Sequence, residues 1–326
     1  MTAITLPAAF APSPPRPVHE ASFTTHDGVK LFYRHWPAVS GEMQGAVLLF
    51  HRGHEHSGRV AHLPDEFELP GHAFFAWDAR GHGRSPGRRG FSPGVDVSVR
   101  DVQTFIDHIA ARHGIAAADV AVVAQSVGAV LAAIWAHDYA PKIRAMVLAS
   151  PAFALYVPFA RPGLRLLRGL RGDFAVNSYV SSRLLTHDPA RQSSFDADPL
   201  ITRPISVNLL LGLHDAAKRV VADAGAITIP TQLLISGADF VVRHGPSRSL
   251  GSPGRSVSRK NGPRDVPPRM STQGMRREFL LEVARAVCTA ADPSVVLPAD
   301  HLRFENYFEM QRSVLLMRYE HQFRSP

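Results

Sequence analysis

Cysteine is almost missing from these 326 residues: Cys288 is the single one. That excludes an internal disulfide and a cysteine-built metal cluster, and it fits a reducing compartment. Long apolar runs are missing too. The longest, Val120 to Ala136, is broken by Gln125, Ser126 and Gly128, and so reads as a strand and a helix, not a membrane span. The first ten residues lack the basic start and long apolar core of a secretion signal, and proline dominates through Pro17. Residues 1–21 are therefore expected to form a disordered arm, and the protein is expected to be cytoplasmic. Acidic residues are in short supply, 28 against 36 Lys and Arg, for a net charge of +8. Most of the surplus lies between Arg243 and Met270, which hold seven basic residues and one acid. With the charge gathered in one segment and no nucleic-acid motif beside it, no nucleic-acid partner is expected. Gly81-His-Gly83-Arg-Ser-Pro lacks the third glycine of a dinucleotide fingerprint. No cofactor is expected.

What remains is a chain with 45% hydrophobic residues, long enough for one large domain, residues 22–326. Phe23 to Trp36 reads as a hairpin turning at Asp27-Gly28. Gly45 to His51, Ala73 to Asp78, Asp119 to Gln125, Ile143 to Ser150 and Thr231 to Gly237 read as buried strands. Val97 to His113 reads as a helix, with Val99, Val102, Phe105, Ile106 and Ile109 at helical spacing. Buried strands alternating with helices predict an α/β fold, a mostly parallel sheet covered on both faces. His51, Asp78, Ser126, Ser150 and Asp239 fall at or just past strand C-terminal ends, where such sheets bind ligands. Between residues 152 and 228 the alternation stops. Leu164, Leu167 and Leu170, interleaved with Arg165, Arg168 and Arg171, predict a short amphipathic helix, and Ile205 to Val221 a second one. This insertion is expected to roof the site as a lid. Packing on the domain is the first expectation for its Leu/Arg helix, and transient contact with a membrane surface an additional one.

Ser126 stands between a buried strand and a helix, with small residues at Ala124, Gly128 and Ala129. A serine on so sharp a turn has the geometry of a nucleophile elbow, and the helix start offers N–H groups to a developing negative charge. The simpler reading is a serine that caps a helix.

His51-Arg-Gly-His-Glu-His-Ser-Gly-Arg, Trp77-Asp-Ala-Arg-Gly-His-Gly-Arg-Ser-Pro-Gly, the Ser126 turn and Ser236-Gly-Ala-Asp239 together resemble the α/β-hydrolase superfamily. They look most like its monoacylglycerol lipase and lysophospholipase-like serine hydrolases. The resemblance runs from about residue 23 to 242, and implies a serine esterase working through an acyl-enzyme on a lipid-like ester. In that pattern Ser126 is the nucleophile and Asp239 the triad acid. The oxyanion-hole N–H groups come from Gly53 and Val127. Arg52 stands where the pattern places glycine, and Ala124 where it places the elbow's first glycine. His82 is read as a brace for its turn. His51, His54, His56 and Glu55 are absorbed by the oxyanion segment, so no metal is assigned.

After Val242 the pattern breaks. Residues 243–270 have the composition of a disordered segment. Met275 to Ala290 then reads as a helix, Ser294 to Pro298 as a strand and Tyr307 to Phe323 as a helix. His301, between that strand and that helix, is the candidate base. The alternative expectation is a catalytically impaired hydrolase fold whose altered C-terminal segment has lost the triad histidine.

Overall fold

The computed structural model describes residues 15–236 except 42, 68, 154–159, 179 and 187, together with 314–318. The chain enters through the expected hairpin, β1 (His19–Thr24) and β2 (Lys30–Trp36), which pair antiparallel. Gly28 in its turn has φ 82°, a conformation that favours glycine. The arm expected over residues 1–21 is corrected at its inner end, where β1 begins at His19. Arg16 is pinned ahead of it. Its guanidinium donates to the carbonyls of His72 and Leu69, each at 2.8 Å, and lies over the Phe74 ring. A reading dominated by proline content does not register one arginine that satisfies two backbone carbonyls.

Next come β3 (Gly45–Phe50), α1 (Leu63–Glu66), β4 (His72–Trp77), α2 (Val95–His113), β5 (Val120–Gln125), α3 (Val127–Tyr139) and β6 (Ala145–Ala149). Every residue of β3, β4 and β6 is buried, which is why these runs lack polar alternation. An insertion follows, made of α4 (Ala160–Arg171), β7 (Ala175–Asn177), α5 (Ser182–Leu185), α6 (Pro189–Asp196) and β8 (Pro204–Ser206). The chain returns through α7 (Val207–Ala222) to β9 (Thr231–Ser236), and β10 (Val314–Arg318) lies beyond. The main sheet runs β1-β2-β4-β3-β5-β6-β9-β10. Its central strands β4, β3, β5, β6 and β9 are parallel.

Period-two alternation divides each central strand between two cores. Leu48, Phe50, Val122, Ala124 and Leu148 pack with residues of α2, α3 and α7. Val47, Leu49, Phe74, Val123 and Val147 pack on the other face with Leu63 and Phe67. Helix α2 buries Val99, Val102, Phe105, Ile106 and Ile109 and stops at Gly114, whose φ of 65° lets its N–H reach the Ala110 carbonyl. Each fully buried side chain of this size contributes about 1.5–3 kcal/mol. Helix α3 is apolar on all sides from Gly128 to Ala136, where it is enclosed, and its Trp135 Nε1–H is satisfied by Gln103 Oε1 at 2.7 Å.

Three expectations are corrected. The second helix of the insertion, α7, packs against α3 and α2 and so belongs to the layer covering the sheet. The Leu/Arg helix, α4, packs on the domain only in part: it lies against α7, with Leu164 half-buried and Arg165 anchored to Asp215, but Leu166 is 66% exposed and Leu170 77%. Inside the span expected as a C-terminal helix, Tyr307 to Phe323, residues 314–318 form a strand on the edge of β9, with Val314 opposite Ser236. A run of valine, two leucines and methionine carries no period of its own, and an unpaired sheet edge selects the extended form. The expected basic segment 243–270, the helix at 275–290 and the strand at 294–298 lie outside the described residues. Among the described residues, no helix is long and apolar enough to cross a membrane.

Candidate active site

The central parallel strand β5 delivers Ser126. Its backbone has φ 55° and ψ −115°, outside the regions that a non-glycine residue adopts freely. Such a conformation costs on the order of 1–3 kcal/mol and persists only where neighbours over-determine it. Here they do. Ser126 N–H donates to the Ala149 carbonyl at 2.9 Å, and the Ser126 carbonyl accepts from Val130 and Ala152, each at 3.2 Å. The side chain makes no capping bond to α3, so the simple helix-cap reading is not what the structure contains.

The first turn of α3 crosses the end of β3 closely. A Cβ on Gly128 would lie 2.5 Å from the His51 carbonyl oxygen and 3.0 Å from that of Phe50. A Cβ on Gly53 would lie 2.9 Å from Val127 Cγ2. Glycine at both positions thus lets the loop after β3 rest on the elbow, bringing together Gly53 and Val127, the two residues expected to supply oxyanion N–H groups. Asp239 and His301 lie outside the described residues. Asp239 follows β9 by three positions in the sequence.

Three histidines around this loop have determinate roles. His51 Nε2 accepts from Ala79 N–H at 3.1 Å, so its proton sits on Nδ1, 2.7 Å from the Arg52 carbonyl. Burial pushes its pKa down and keeps it neutral. One ring thereby ties the loop after β3 to the turn after β4. His82 donates from Nδ1 to the Arg80 carbonyl at 3.0 Å, as a brace would, and burial, with His51 nearby, pushes its pKa down to about 3. His56 Nδ1 accepts from Gly58 N–H, leaving Nε2–H to meet Asp198 at 3.0 Å. Glu55 is engaged by Arg52. Thus the ring nitrogens of His51 and His56 are spent on holding the loop. The one cluster of suitable metal ligands among the described residues is elsewhere, His26, Asp27 and Asp101, and Arg80 already binds both of its carboxylates.

Sequence reasoning placed Asp78 among the polar residues at strand ends. Its carboxylate is buried and accepts Ser57 N–H at 2.6 Å and Arg84 N–H at 2.7 Å, so it knits two turns together. Two relationships were missed. Arg52 forks onto Glu55, for which the only signal was opposite charge three residues apart. The insertion is fastened to the segment after the loop by Thr202 N–H to the His54 carbonyl at 2.8 Å, by Asp198 to His56, and by Arg59 to Ser194 Oγ at 2.9 Å. These partners are more than a hundred residues apart, and no local pattern reveals them. Behind Gly53 and Val127 lies a cavity of about 40 Å³, lined mainly by apolar atoms of Phe50, Trp77, Leu131, Leu209 and Leu213.

The family Hydrolase_4, described as serine aminopeptidase, S33, matches residues 41–260. An uncharacterized Escherichia coli protein, YnbC, is 58% identical over 229 residues, which are 70% of this chain and 39% of that protein. The match thus covers well under half the length of that relative. Monoacylglycerol lipase of Mycolicibacterium smegmatis is 27% identical over 240 residues, covering 71% of this chain and 82% of the lipase. The crystal structure of Paleococcus ferrophilus monoacylglycerol lipase superimposes with a TM-score of 0.59 at 25% identity, covering 72% of this chain and 83% of that one.

Proposed function

The chain belongs to the Hydrolase_4 family and has the α/β-hydrolase fold, and from that premise we propose that it is a serine esterase for lipid-like carboxylic esters of the monoacylglycerol or lysophospholipid type. The observation that carries the reading is the strained backbone of Ser126 at the β5–α3 joint, φ 55° and ψ −115°. In the proposed reaction Ser126 Oγ attacks the ester carbonyl as His301, oriented by Asp239, takes its proton. The N–H groups of Gly53 and Val127 hold the oxyanion, an interaction whose loss typically costs on the order of 10²–10³ in rate per donor. His301 returns the proton to the departing alcohol. A water, deprotonated by the same histidine, then attacks the acyl-enzyme, and His301 passes that proton to Ser126 Oγ as the acid departs. No step calls for a cofactor.

The relatives named as monoacylglycerol lipases support a lipid-like substrate. The exposed leucines of α4, beside Arg168 and Arg171, support transient contact of this insertion with an anionic membrane surface, the insertion serving as lid. The cytoplasm remains the proposed location.

The experiment is intact-mass analysis after treatment with a fluorophosphonate, with peptide mapping and a Ser126→Ala control. One adduct at Ser126, lost in the control, supports the esterase. Folded protein that takes no adduct rejects it in favour of an impaired hydrolase fold, whose motive is the basic composition of residues 243–270. Parallel assays on matched ester and anilide substrates separate esterase from amidase action.

A further inference from the structure

The oxyanion loop contains a side-chain pair that the reaction above does not use. Arg52 Nε–H donates to Glu55 Oε2 at 2.9 Å, and Arg52 Nη2–H donates to Glu55 Oε1, so guanidinium and carboxylate meet fork to fork. On an open surface such a pair is worth little. Glu55, however, is only 2% exposed. A carboxylate withdrawn from water needs charged, well-oriented donors, and a bidentate arginine supplies them. The pair therefore dictates shape: with the Glu55 carboxylate enclosed, Arg52 must lie over it.

Between these two residues stand Gly53 and His54. The backbone repeats the closure of the side chains, because the Arg52 carbonyl accepts from Glu55 N–H at 3.2 Å and from His51 Nδ1–H at 2.7 Å. His54 is held at φ 71°, a left-handed conformation costly for a residue with a Cβ. Gly53 has no slack toward the elbow, since even a methyl group there would meet Val127. The loop is thus bent tightly at the residue whose N–H must face the reacting carbonyl, and Arg52–Glu55 spans the bend.

We propose that Arg52 and Glu55 form a clamp that holds the Gly53 N–H in register with the Val127 N–H, making both of them positioning residues for the esterase reaction, on which reading this inference rests. The clamp acts on charge that develops only in the transition state, so it sets kcat and leaves KM nearly alone.

The test uses the full chain, with steady-state hydrolysis of a p-nitrophenyl ester and the rate of fluorophosphonate labelling at Ser126. In Arg52→Ala and Glu55→Ala, kcat falls by about ten- to a hundred-fold, the scale of a small misplacement at a reacting centre. KM stays within about two-fold, as expected for an interaction realised only in the transition state. The labelling rate falls with kcat. The double variant is no slower than the worse single one, because the two residues act as one unit. Arg52→Lys keeps the charge, loses the fork and provides the reading if the alanine variants do not fold: kcat falls while thermal unfolding matches the parent. Unchanged kcat in folded variants overturns the clamp, and so does a loss confined to KM, which would put Arg52 on the substrate. A parent that does not label at Ser126 overturns the esterase reading and the clamp's role with it. A parent that labels, with variants that label equally fast, overturns the clamp alone.

Discussion

Arg80, in the turn after β4, reaches across to Asp101 of α2 with two hydrogen bonds, Nε–H to Oδ2 at 2.9 Å and Nη2–H to Oδ1 at 2.8 Å. Asp101 is almost fully enclosed. The same guanidinium binds Asp27 in the β1–β2 turn, at 3.0 and 2.9 Å. One cation therefore joins the entry hairpin, the turn that carries His82, and the helix beneath the sheet. Arg80→Ala leaves a buried carboxylate without its partner and should lower unfolding free energy by about 3–5 kcal/mol. Arg165→Ala, which breaks the exposed pair with Asp215, should cost under about 1 kcal/mol. Urea unfolding of the two variants side by side checks the contrast.

The strain at Ser126 predicts a separation of stability from activity. Glycine adopts φ 55° without a Cβ penalty. Ser126→Gly should abolish fluorophosphonate labelling and raise unfolding free energy by about 1 kcal/mol, the lower end of the usual cost of such strain. A variant that loses labelling and is also less stable would show that the turn is not strained.

Acid should weaken the fold through one buried and one half-buried histidine, His72 and His35. Burial, reinforced by His113, His19 and Arg112, lowers the His35 pKa to about 4, and burial with Arg144 and Arg16 nearby lowers that of His72 to about 4. The unfolded chain takes up these protons near pH 6.5 and the folded chain only near pH 4, so stability falls as pH drops through that window and levels off below it. The His35 ring stacks on Phe75 at 4.5 Å, and His35→Phe keeps a flat apolar ring there. That variant should show a shallower loss of Tm between pH 6.5 and pH 4 in a pH series of thermal melts.

Gly128→Ala places a methyl group 2.5 Å from one backbone oxygen and 3.0 Å from another. Neither oxygen sits on a flexible tip, so α3 must shift off the end of β3. Overpacking of this kind typically costs about 1–3 kcal/mol. The shift should also cut the Ser126 labelling rate about ten-fold or more, because reacting groups tolerate little displacement. Labelling kinetics at a temperature where both proteins are folded give the answer.

If α4 touches a lipid surface, Leu166→Asp with Leu170→Asp should abolish co-sedimentation with anionic vesicles. Hydrolysis of a water-soluble ester should stay unchanged, since both side chains point to solvent.

The parallel sheet was legible because its strands are buried on both faces and read as unbroken apolar runs, as in Ala46 to Phe50. The elbow was legible because Ala124, Gly128 and Ala129 keep the space around Ser126 small. Both signals are local. The side-chain pairings inside the turns were not read, because there one side chain chooses among many partners. Arg52 could have faced substrate, solvent or Glu55, and burial of that carboxylate decides the matter. Asp78 stands where a ligand-binding residue would stand, yet two backbone N–H groups claim its oxygens. The leucines of α4 have the spacing of a core stripe, and spacing does not say whether a core lies opposite. The edge strand 314–318 depended on an open neighbour, which no stretch of sequence contains.

The backbone of Ser126 prolongs the ladder between β5 and β6, since its N–H is donated to Ala149 just as the strand residues before it pair across. Its amide proton can therefore reach solvent only when the middle of the sheet opens. In hydrogen exchange the residue proposed to perform the chemistry should be among the slowest in the protein, at rates set by global unfolding. The proposed reactivity and this immobility then coincide at one residue, and the insertion can change its contacts without retiming the proposed nucleophile.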